Sequence, residues 1–177
     1  MKPLTVYTAA SFRLLHAVRL FHDALRARIP DVQILDWTDK ATPPAGLTPD
    51  QRRQWFDTEQ QGGQVYEFCA DACRHADVVV YLGASGQDAG VEVGLAAGAG
   101  TPVLGVRGPL EAPGLMLHGA VGLWFYDIQG LIDALEYIEG CMDCPGCPDD
   151  LVSCAYARAC PHARFSRDCK EVRHVRR

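Results

Sequence analysis

Two carboxylates four residues apart, Asp88 and Glu92, stand in a segment of small and apolar residues, SGQDAGVEVG. Helix-forming residues follow, so we expect both in the first turns of a helix, where the helix dipole stabilises negative charge. Solvated carboxylates at a helix start would satisfy this pattern without any chemistry. The apolar neighbours of Glu92 favour a second interpretation: a partly desolvated, approachable carboxylate of the kind that a nucleophile or a general base requires.

The residues before this helix predict a loop that brings the backbone close to a bound phosphate or sugar. Gly83, Ser85 and Gly86 follow the apolar run DVVVYL directly, and glycine permits such close approach. The loop lacks the Lys-Ser/Thr pair of a Walker loop and the register of G-x-G-x-x-G. It therefore does not predict a site for a nucleoside triphosphate.

Five apolar runs, alternating with helical segments, must position this loop. The runs are LTVYTA, VQILDW, DVVVYL, TPVLGV and VGLWFY. This alternation predicts an α/β fold, an open doubly wound parallel sheet of the flavodoxin or Rossmann-like type with strand order 2-1-3-4-5. Continuous apolar character marks DVVVYL as a central strand, buried on both faces. Such sheets bind ligands beyond the carboxyl ends of their strands, so the loops after Thr8, Trp37 and Leu82 should form the rim of the site.

Several helix boundaries can also be predicted. Ser11 is a candidate N-cap of the first helix, and Pro30 is its candidate stop. From Pro49 to about residue 75 most residues are helix formers, and the pair Gly62 and Gly63 predicts a break into two helices.

Composition and charge limit the classes of partner. The 177 residues are 48% hydrophobic, enough to fill one core, and we expect an α/β domain over residues 1–139 with a small irregular appendix over 140–177. A net charge of −5 and a pI of about 5.6 disfavour nucleic acid and anionic membranes as partners. No apolar run reaches the ~20 residues that cross a bilayer. The N-terminus lacks an export signal pattern, so a cytoplasmic location is expected.

Three motifs within residues 4–139 together resemble one enzyme family. They are VYTAASF, ADVVVYL and GVEVGLAAGAGTPVLGV, and they resemble the nucleoside 2-deoxyribosyltransferases and the related N-glycosidases of deoxynucleoside monophosphates. The resemblance implies a double displacement in which Glu92 is the nucleophile and Tyr7 holds its carboxylate by a hydrogen bond. It also implies a homo-oligomer, expected as a dimer whose subunits complete each other's sites, and no cofactor for the α/β domain.

Two positions depart from the family pattern. Where the family places an aspartate that binds the base or acts as an acid, this chain has Cys69. The nearest carboxylates are Asp71 and Glu67, either of which could substitute from the same helix, and Asp71 is our candidate for the catalytic role. Six residues before the nucleophile, where the family tends to have a polar residue, this chain has Gly86. Of its neighbours, Ser85 suits a 5′-phosphate, whereas Asp88 would repel a phosphate and suit a free nucleoside.

The candidate substrate-binding residues lie at or near strand ends. Trp37 and Asp39 follow the second strand, where they could stack on and bond a nucleobase, although an aromatic residue in a loop also serves packing. Asp77 opens the third strand and suits a structural role there as well as a binding role. The full candidate set is Thr8, Trp37, Asp39, Asp77, Gly83, Ser85, Gly86 and Asp88.

Six of the eight cysteines occur after Gly140. They are Cys141, Cys144, Cys147, Cys154, Cys160 and Cys169. The first three form C-x-x-C-x-x-C, and four thiolates would complete a zinc tetrahedron or hold an iron–sulfur cluster. The spacing matches neither a bacterial ferredoxin nor a paired zinc ribbon, so disulfides and free thiols are the alternatives.

These observations predict an enzyme that transfers or hydrolyses the glycosyl group of a nucleoside or nucleotide through Glu92, with this small molecule as its partner. Two alternatives stay open. One is a non-catalytic nucleotide-binding or sensing module of the same fold, in which Glu92 binds ribose hydroxyls. The other is a metal-binding or redox protein that acts through the cysteine-rich tail.

Overall fold

A computed structural model of the chain describes residues 2–141. Within these residues the predicted strands form one parallel sheet in the order β2-β1-β3-β4-β5. The strands are β1 (Thr5–Ala9), β2 (Gln33–Leu35), β3 (Val78–Leu82), β4 (Val103–Val106) and β5 (Leu123–Phe125). The predicted fold class and strand order are confirmed.

Helices connect the strands and cover the sheet. After a short 3₁₀ helix (Phe12–Leu14), they are α1 (Leu15–Arg28), α2 (Pro49–Asp57), α3 (Glu59–His75), α4 (Gln87–Ala99), α5 (Leu115–Ala120) and α6 (Ile128–Cys141). Helix α1 packs against α6, and α3 packs against α4, which is the arrangement of helix pairs on the two faces of a doubly wound sheet. None of the helices in the described part of the chain is long and apolar enough to span a membrane.

The central strand owes its position to its composition. No residue of β3 is more than 4% exposed, as the unbroken apolar run predicts for a strand covered on both faces. Helix α4, which follows β3, turns Ala89, Val93 and Ala96 into the core. It ends at Gly100, whose φ of +78° is the left-handed conformation that favours glycine. Strand β3 and α4 together therefore fix the loop between them.

The first helical segment begins and ends where the sequence predicts. Ser11 caps it by accepting a hydrogen bond from the Arg13 amide at 3.3 Å, and α1 ends at Arg28, two residues before Pro30.

The predicted break at Gly62 and Gly63 is wrong, because both residues lie inside α3. The chain breaks instead at Thr58, whose extended backbone separates α2 from α3 and whose hydroxyl donates to the carbonyl of Trp55 at 2.9 Å. A Cβ at position 62 would lie 3.1 Å from the carbonyl oxygen of Phe56. Glycine here thus permits the end of α2 to lie close to α3.

Candidate active site

The loops after β1 and β3 meet at the carboxyl edge of the sheet, where the strand order reverses. Ser85 joins them: its hydroxyl oxygen accepts a hydrogen bond from the Ser11 amide at 2.9 Å and donates to the Leu82 carbonyl. The Ser85 amide donates to the Tyr81 hydroxyl at 3.2 Å. These hydrogen bonds hold the loop between β3 and α4 in place.

A cavity of about 430 Å³ opens beside this junction. Its lining comes from the loop after β1, from Trp37, from α2 and α3, and from the first turns of α4. Phe12, Trp37, Phe56 and Tyr66 contribute aromatic rings to it. Both the volume and the largely apolar wall are typical of a small-molecule site.

Glu92 projects from the second turn of α4 into this cavity with only one of its oxygens occupied. The Tyr7 hydroxyl, on the fully buried side chain at the middle of β1, donates to Glu92 Oε1 at 2.5 Å. Glu92 Oε2 is buried and accepts no hydrogen bond from any donor in the described part of the chain. Burial and the adjacent carboxylate raise the pKa of Tyr7 far above its usual range, so Tyr7 keeps its proton and acts as a donor.

The surroundings of Glu92 hold it between its charged and neutral forms. Burial, with a further contribution from the negative charge of Asp88, raises the pKa of Glu92 from 4.5 to about 7, while the Tyr7 hydrogen bond and the Cys69 thiol oppose the rise. Both forms are therefore present at neutral pH. The ionised form has a buried, unpaired oxygen, which is the condition of an activated carboxylate nucleophile.

Cys69 lines the cavity beside Tyr7 and Glu92. Burial, together with the charge of Glu92, raises the pKa of this thiol to about 11, and the interaction with Tyr7 opposes the shift. The thiol is consequently neutral at physiological pH. It can donate a weak hydrogen bond, but it is a poor source of a proton.

Three of the predicted binding residues line the cavity with Glu92: Trp37, Gly86 and Asp88. The indole N–H of Trp37 donates to the Thr8 carbonyl at 2.8 Å. The Trp37 ring lies 5.5 Å from that of Phe12 in a tilted arrangement. Trp37 is only 5% exposed, so its side chain both packs in the core and forms part of the cavity wall.

Thr8 itself lies beneath this wall, outside the cavity lining. Its hydroxyl contacts His22 Nε2 at 3.0 Å, and His22 Nδ1 lies 3.5 Å from the carboxylate of Asp36. Burial lowers the pKa of His22, although the charge of Asp36 opposes this. The sequence prediction missed this buried network. Its signal was the place of His22 one helical turn after Val18, on the apolar face of α1.

Asp77 lies at the amino edge of the sheet, opposite the cavity. Because Val6 pairs with Val78, the residue before β3 falls beside the start of β1. Asp77 accepts hydrogen bonds from the Thr5 amide at 2.9 Å and the Thr5 hydroxyl at 2.6 Å, and it pairs with Lys2 at 3.0 Å. Burial raises the pKa of Asp77, but these partners outweigh it and the net shift is downward. This aspartate joins strands, and the structure separates it from the substrate site predicted for it.

Asp71 and Asp39 also lie outside the cavity lining. Asp71 is two residues beyond Cys69, hence roughly 200° around α3 from the cavity, and its 76% exposed side chain pairs with His75 at 2.9 Å. Asp39 is exposed in the loop after β2. The structure thus brings neither carboxylate to Glu92.

Gly83 serves packing between two loops. A Cβ at this position would lie 2.9 Å from the Gly108 amide nitrogen and would collide with the carboxylate of Glu111. Glu111 in turn accepts hydrogen bonds from the Tyr81 hydroxyl and from the Gly108 amide. Burial and the Glu111 carboxylate raise the pKa of Tyr81 to about 12. The sequence prediction missed this brace, which holds the loop before α4 from the side of β4.

The metal prediction falls outside the described residues. Cys144, Cys147, Cys154, Cys160 and Cys169 lie beyond residue 141, and Cys141 is the last residue of α6. Among residues 2–141, no group of three or more His, Cys, Asp or Glu side chains could hold a metal ion. Zinc or an iron–sulfur cluster in the tail stays a prediction.

Comparison with known proteins identifies the fold. No protein-family model and no curated protein matches the chain. Among solved structures, it is similar to the 2-deoxyribosyltransferase of the psychrotolerant bacterium Bacillus psychrosaccharolyticus, with 17% identity, a TM-score of 0.59, and coverage of 73% of this chain and 90% of that one. A CMP N-glycosidase of Clostridium botulinum, BcmB, also matches, with 13% identity, a TM-score of 0.45, and coverage of 75% and 98%. The first likeness confirms the fold that the sequence resemblance implied.

Proposed function

We propose that this protein transfers or hydrolyses the glycosyl group of a nucleoside or nucleotide, cleaving the N-glycosidic bond by double displacement through Glu92. The observation that carries the proposal is that only one oxygen of the Glu92 carboxylate has a hydrogen-bond partner. The Tyr7 hydroxyl donates to Oε1 at 2.5 Å, and Oε2 accepts no hydrogen bond from the described residues. Glu92 lines a cavity of about 430 Å³. The fold shared with a 2-deoxyribosyltransferase supports the same chemistry.

The first step of this proposal uses the free oxygen of Glu92. Oε2 attacks the anomeric carbon, and the bond to the base breaks with its electron pair passing to the base. The product is a glycosyl ester of Glu92, as in retaining glycosidases. Tyr7 restrains the carboxylate through Oε1, which orients Oε2 before the substrate arrives.

The second step decides between transfer and hydrolysis. A second base, or water, attacks the same carbon and restores the Glu92 carboxylate. The aromatic walls contributed by Phe12, Trp37 and Phe56 suit stacking of a planar base. Because these walls are apolar, they disfavour the charged form of Glu92 and help to keep it partly protonated.

The experiment that tests the proposal incubates the full chain with deoxynucleosides, ribonucleosides and their monophosphates, with and without a second free base. Products are separated by chromatography. Glu92→Ala should abolish base release or exchange, whereas the matched control Glu67→Ala, at an exposed position of α3 outside the cavity lining, should retain it. Turnover that survives in Glu92→Ala, or no turnover of any substrate, would overturn the proposal.

One observation favours a second candidate function, a non-catalytic nucleotide-binding module. The residue beside Tyr7 and Glu92 is a neutral thiol, Cys69, where the resembled family has a carboxylic acid. In such a module Glu92 would accept hydrogen bonds from ribose hydroxyls. Calorimetry with the same compounds distinguishes the two, because the module binds a nucleoside without consuming it.

The partner in either case is a small molecule. The homo-dimer stays a prediction from the sequence resemblance, and the mass of the full chain in solution tests it.

A further inference from the structure

The cavity around Glu92 combines negative charge with aromatic rings. Asp88 and Glu92 both line it, next to Phe12, Trp37 and Phe56. Lys, Arg and His are absent from the lining residues that the structure describes. Two carboxylates without a countercharge make the local potential negative, which attracts a cation and repels a phosphate. Aromatic faces add to that attraction for a cation.

The cavity also lacks a well-placed proton source for a leaving base. Departure of a neutral base requires a general acid, ideally with a pKa near the working pH. The pKa of Cys69 is raised to about 11 and that of Tyr7 lies higher still, so both hold their protons. Glu92 is committed as the nucleophile. Asp88 is exposed in the first turn of α4, where the helix dipole favours an anion.

Both features are explained by one class of substrate. Resting on the proposed function, we propose that the substrate is a nucleoside without a 5′-phosphate whose base is already a cation, an N-alkylated purinium or a pyridinium. Asp88 and the aromatic walls bind the positive base, and Glu92 attacks the sugar. The departing base needs no proton, because it becomes neutral when it leaves.

The steps balance without a general acid. Glu92 Oε2 bonds to C1′ as the C1′–N bond breaks, and the electron pair of that bond cancels the positive charge of the base. Water then bonds to C1′ as the ester bond breaks, and the electron pair returns to Glu92. The proton of the water goes to solvent, so the net products are the free sugar, the neutral base and one proton.

The test compares 7-methylguanosine with guanosine, which differ by one methyl group and its positive charge, and adds the nicotinamide riboside cation against cytidine. Cationic nucleosides also decompose faster in water, so each enzymatic kcat/KM is divided by the uncatalysed rate constant. We expect this ratio to be at least about tenfold higher for each cation. We also expect 7-methylguanosine 5′-monophosphate to be cleaved less well than 7-methylguanosine.

The variant Asp88→Asn tests the electrostatic part. It should raise KM for 7-methylguanosine about fivefold more than KM for guanosine, because only the cation loses an attraction. Equal changes in both KM values would overturn the role of Asp88 and with it the recognition of charge.

The outcomes separate this inference from the proposed function. Cleavage of guanosine as efficient as that of 7-methylguanosine, or a preference for the monophosphate, overturns the cationic substrate and leaves the Glu92 chemistry standing. Absence of base release from every nucleoside overturns both.

Discussion

Two carboxylates at opposite edges of the sheet meet opposite surroundings. At the amino edge, both oxygens of Asp77 have partners, from Thr5 and Lys2, and the pKa of Asp77 is lowered. At the carboxyl edge, Glu92 has a partner for one oxygen, and its pKa is raised to about 7. Burial disfavours the charged form of both carboxylates, and the difference lies in their partners: those of Asp77 outweigh the effect of burial, whereas those of Glu92 do not.

This is the difference expected between a structural carboxylate and a carboxylate with the role proposed for Glu92. A lowered pKa in the folded state means that Asp77 stabilises the fold above its unfolded pKa, a contribution lost as pH falls through its folded pKa. A raised pKa means that Glu92 favours the folded state at low pH, and this contribution is lost as pH rises from about 4.5 to about 7. Such a cost is typical of functional sites, where the free oxygen is kept for a ligand.

The largest expected effect is an opposite change in stability when each carboxylate is replaced by its amide. Glu92→Gln should stabilise the protein by about 3 kcal/mol at pH 8, and by little near pH 4, because a shift of one pKa unit corresponds to ~1.4 kcal/mol. Asp77→Asn should destabilise it by about 2 kcal/mol at pH 8, because an amide cannot accept all three bonds. Denaturant unfolding at both pH values measures the two changes.

The contrast fails if both variants change stability in the same direction at pH 8. Activity is the control for the assignment of roles: correctly folded Asp77→Asn should cleave the substrate at close to the normal rate, whereas Glu92→Gln should be inactive.

The pH dependence of the reaction should report Glu92 directly. Only the ionised carboxylate attacks, so with a pKa of about 7 kcat/KM should fall roughly 50-fold between pH 7 and pH 5. The fall approaches about tenfold per pH unit well below pH 7, and the profile levels off above pH 7. Initial rates of base release across pH 5 to 9 measure this profile. A midpoint near 4.5 would show that the carboxylate is not desolvated in the working enzyme.

Tyr7→Phe sharpens the same comparison, because it removes the hydrogen bond that Tyr7 donates to the Glu92 carboxylate. The hydrogen bond from Tyr7 lowers the pKa of Glu92, so its loss should move the midpoint of the profile upward and reduce the rate at pH 7 about fivefold to tenfold. The distinguishing readout is recovery at high pH. A loss that persists equally at pH 9 would assign Tyr7 a role other than tuning the carboxylate.

The fold and the contact between Tyr7 and Glu92 could be predicted from the sequence. Five apolar runs between helices determine the sheet, and the motif around Glu92, with Tyr7 in β1, carries the family resemblance. The place of Asp77 was also within reach, because a residue that opens a strand lies at the amino edge, away from the ligand-binding edge.

Other parts of the site depend on packing that local sequence does not specify. The rotation of α3 about its axis decides that Cys69 faces the cavity and Asp71 faces solvent, and that rotation depends on the packing of α3 against α4. The contact between Thr8 and His22 depends on how α1 sits over β1. Neither follows from spacing along the chain.

The smallest expected effect belongs to the carboxylate that the sequence favoured as the second catalytic group. Asp71 is 76% exposed and pairs with His75 on the solvent side of α3, and an exposed pair contributes little free energy. Asp71→Asn should therefore change both the equilibrium constant of unfolding and kcat/KM by less than about twofold. Glu67→Gln, on the surface of the same helix, is the control. A large loss of kcat/KM in Asp71→Asn alone would mean that α3 turns when substrate binds and brings Asp71 into the cavity.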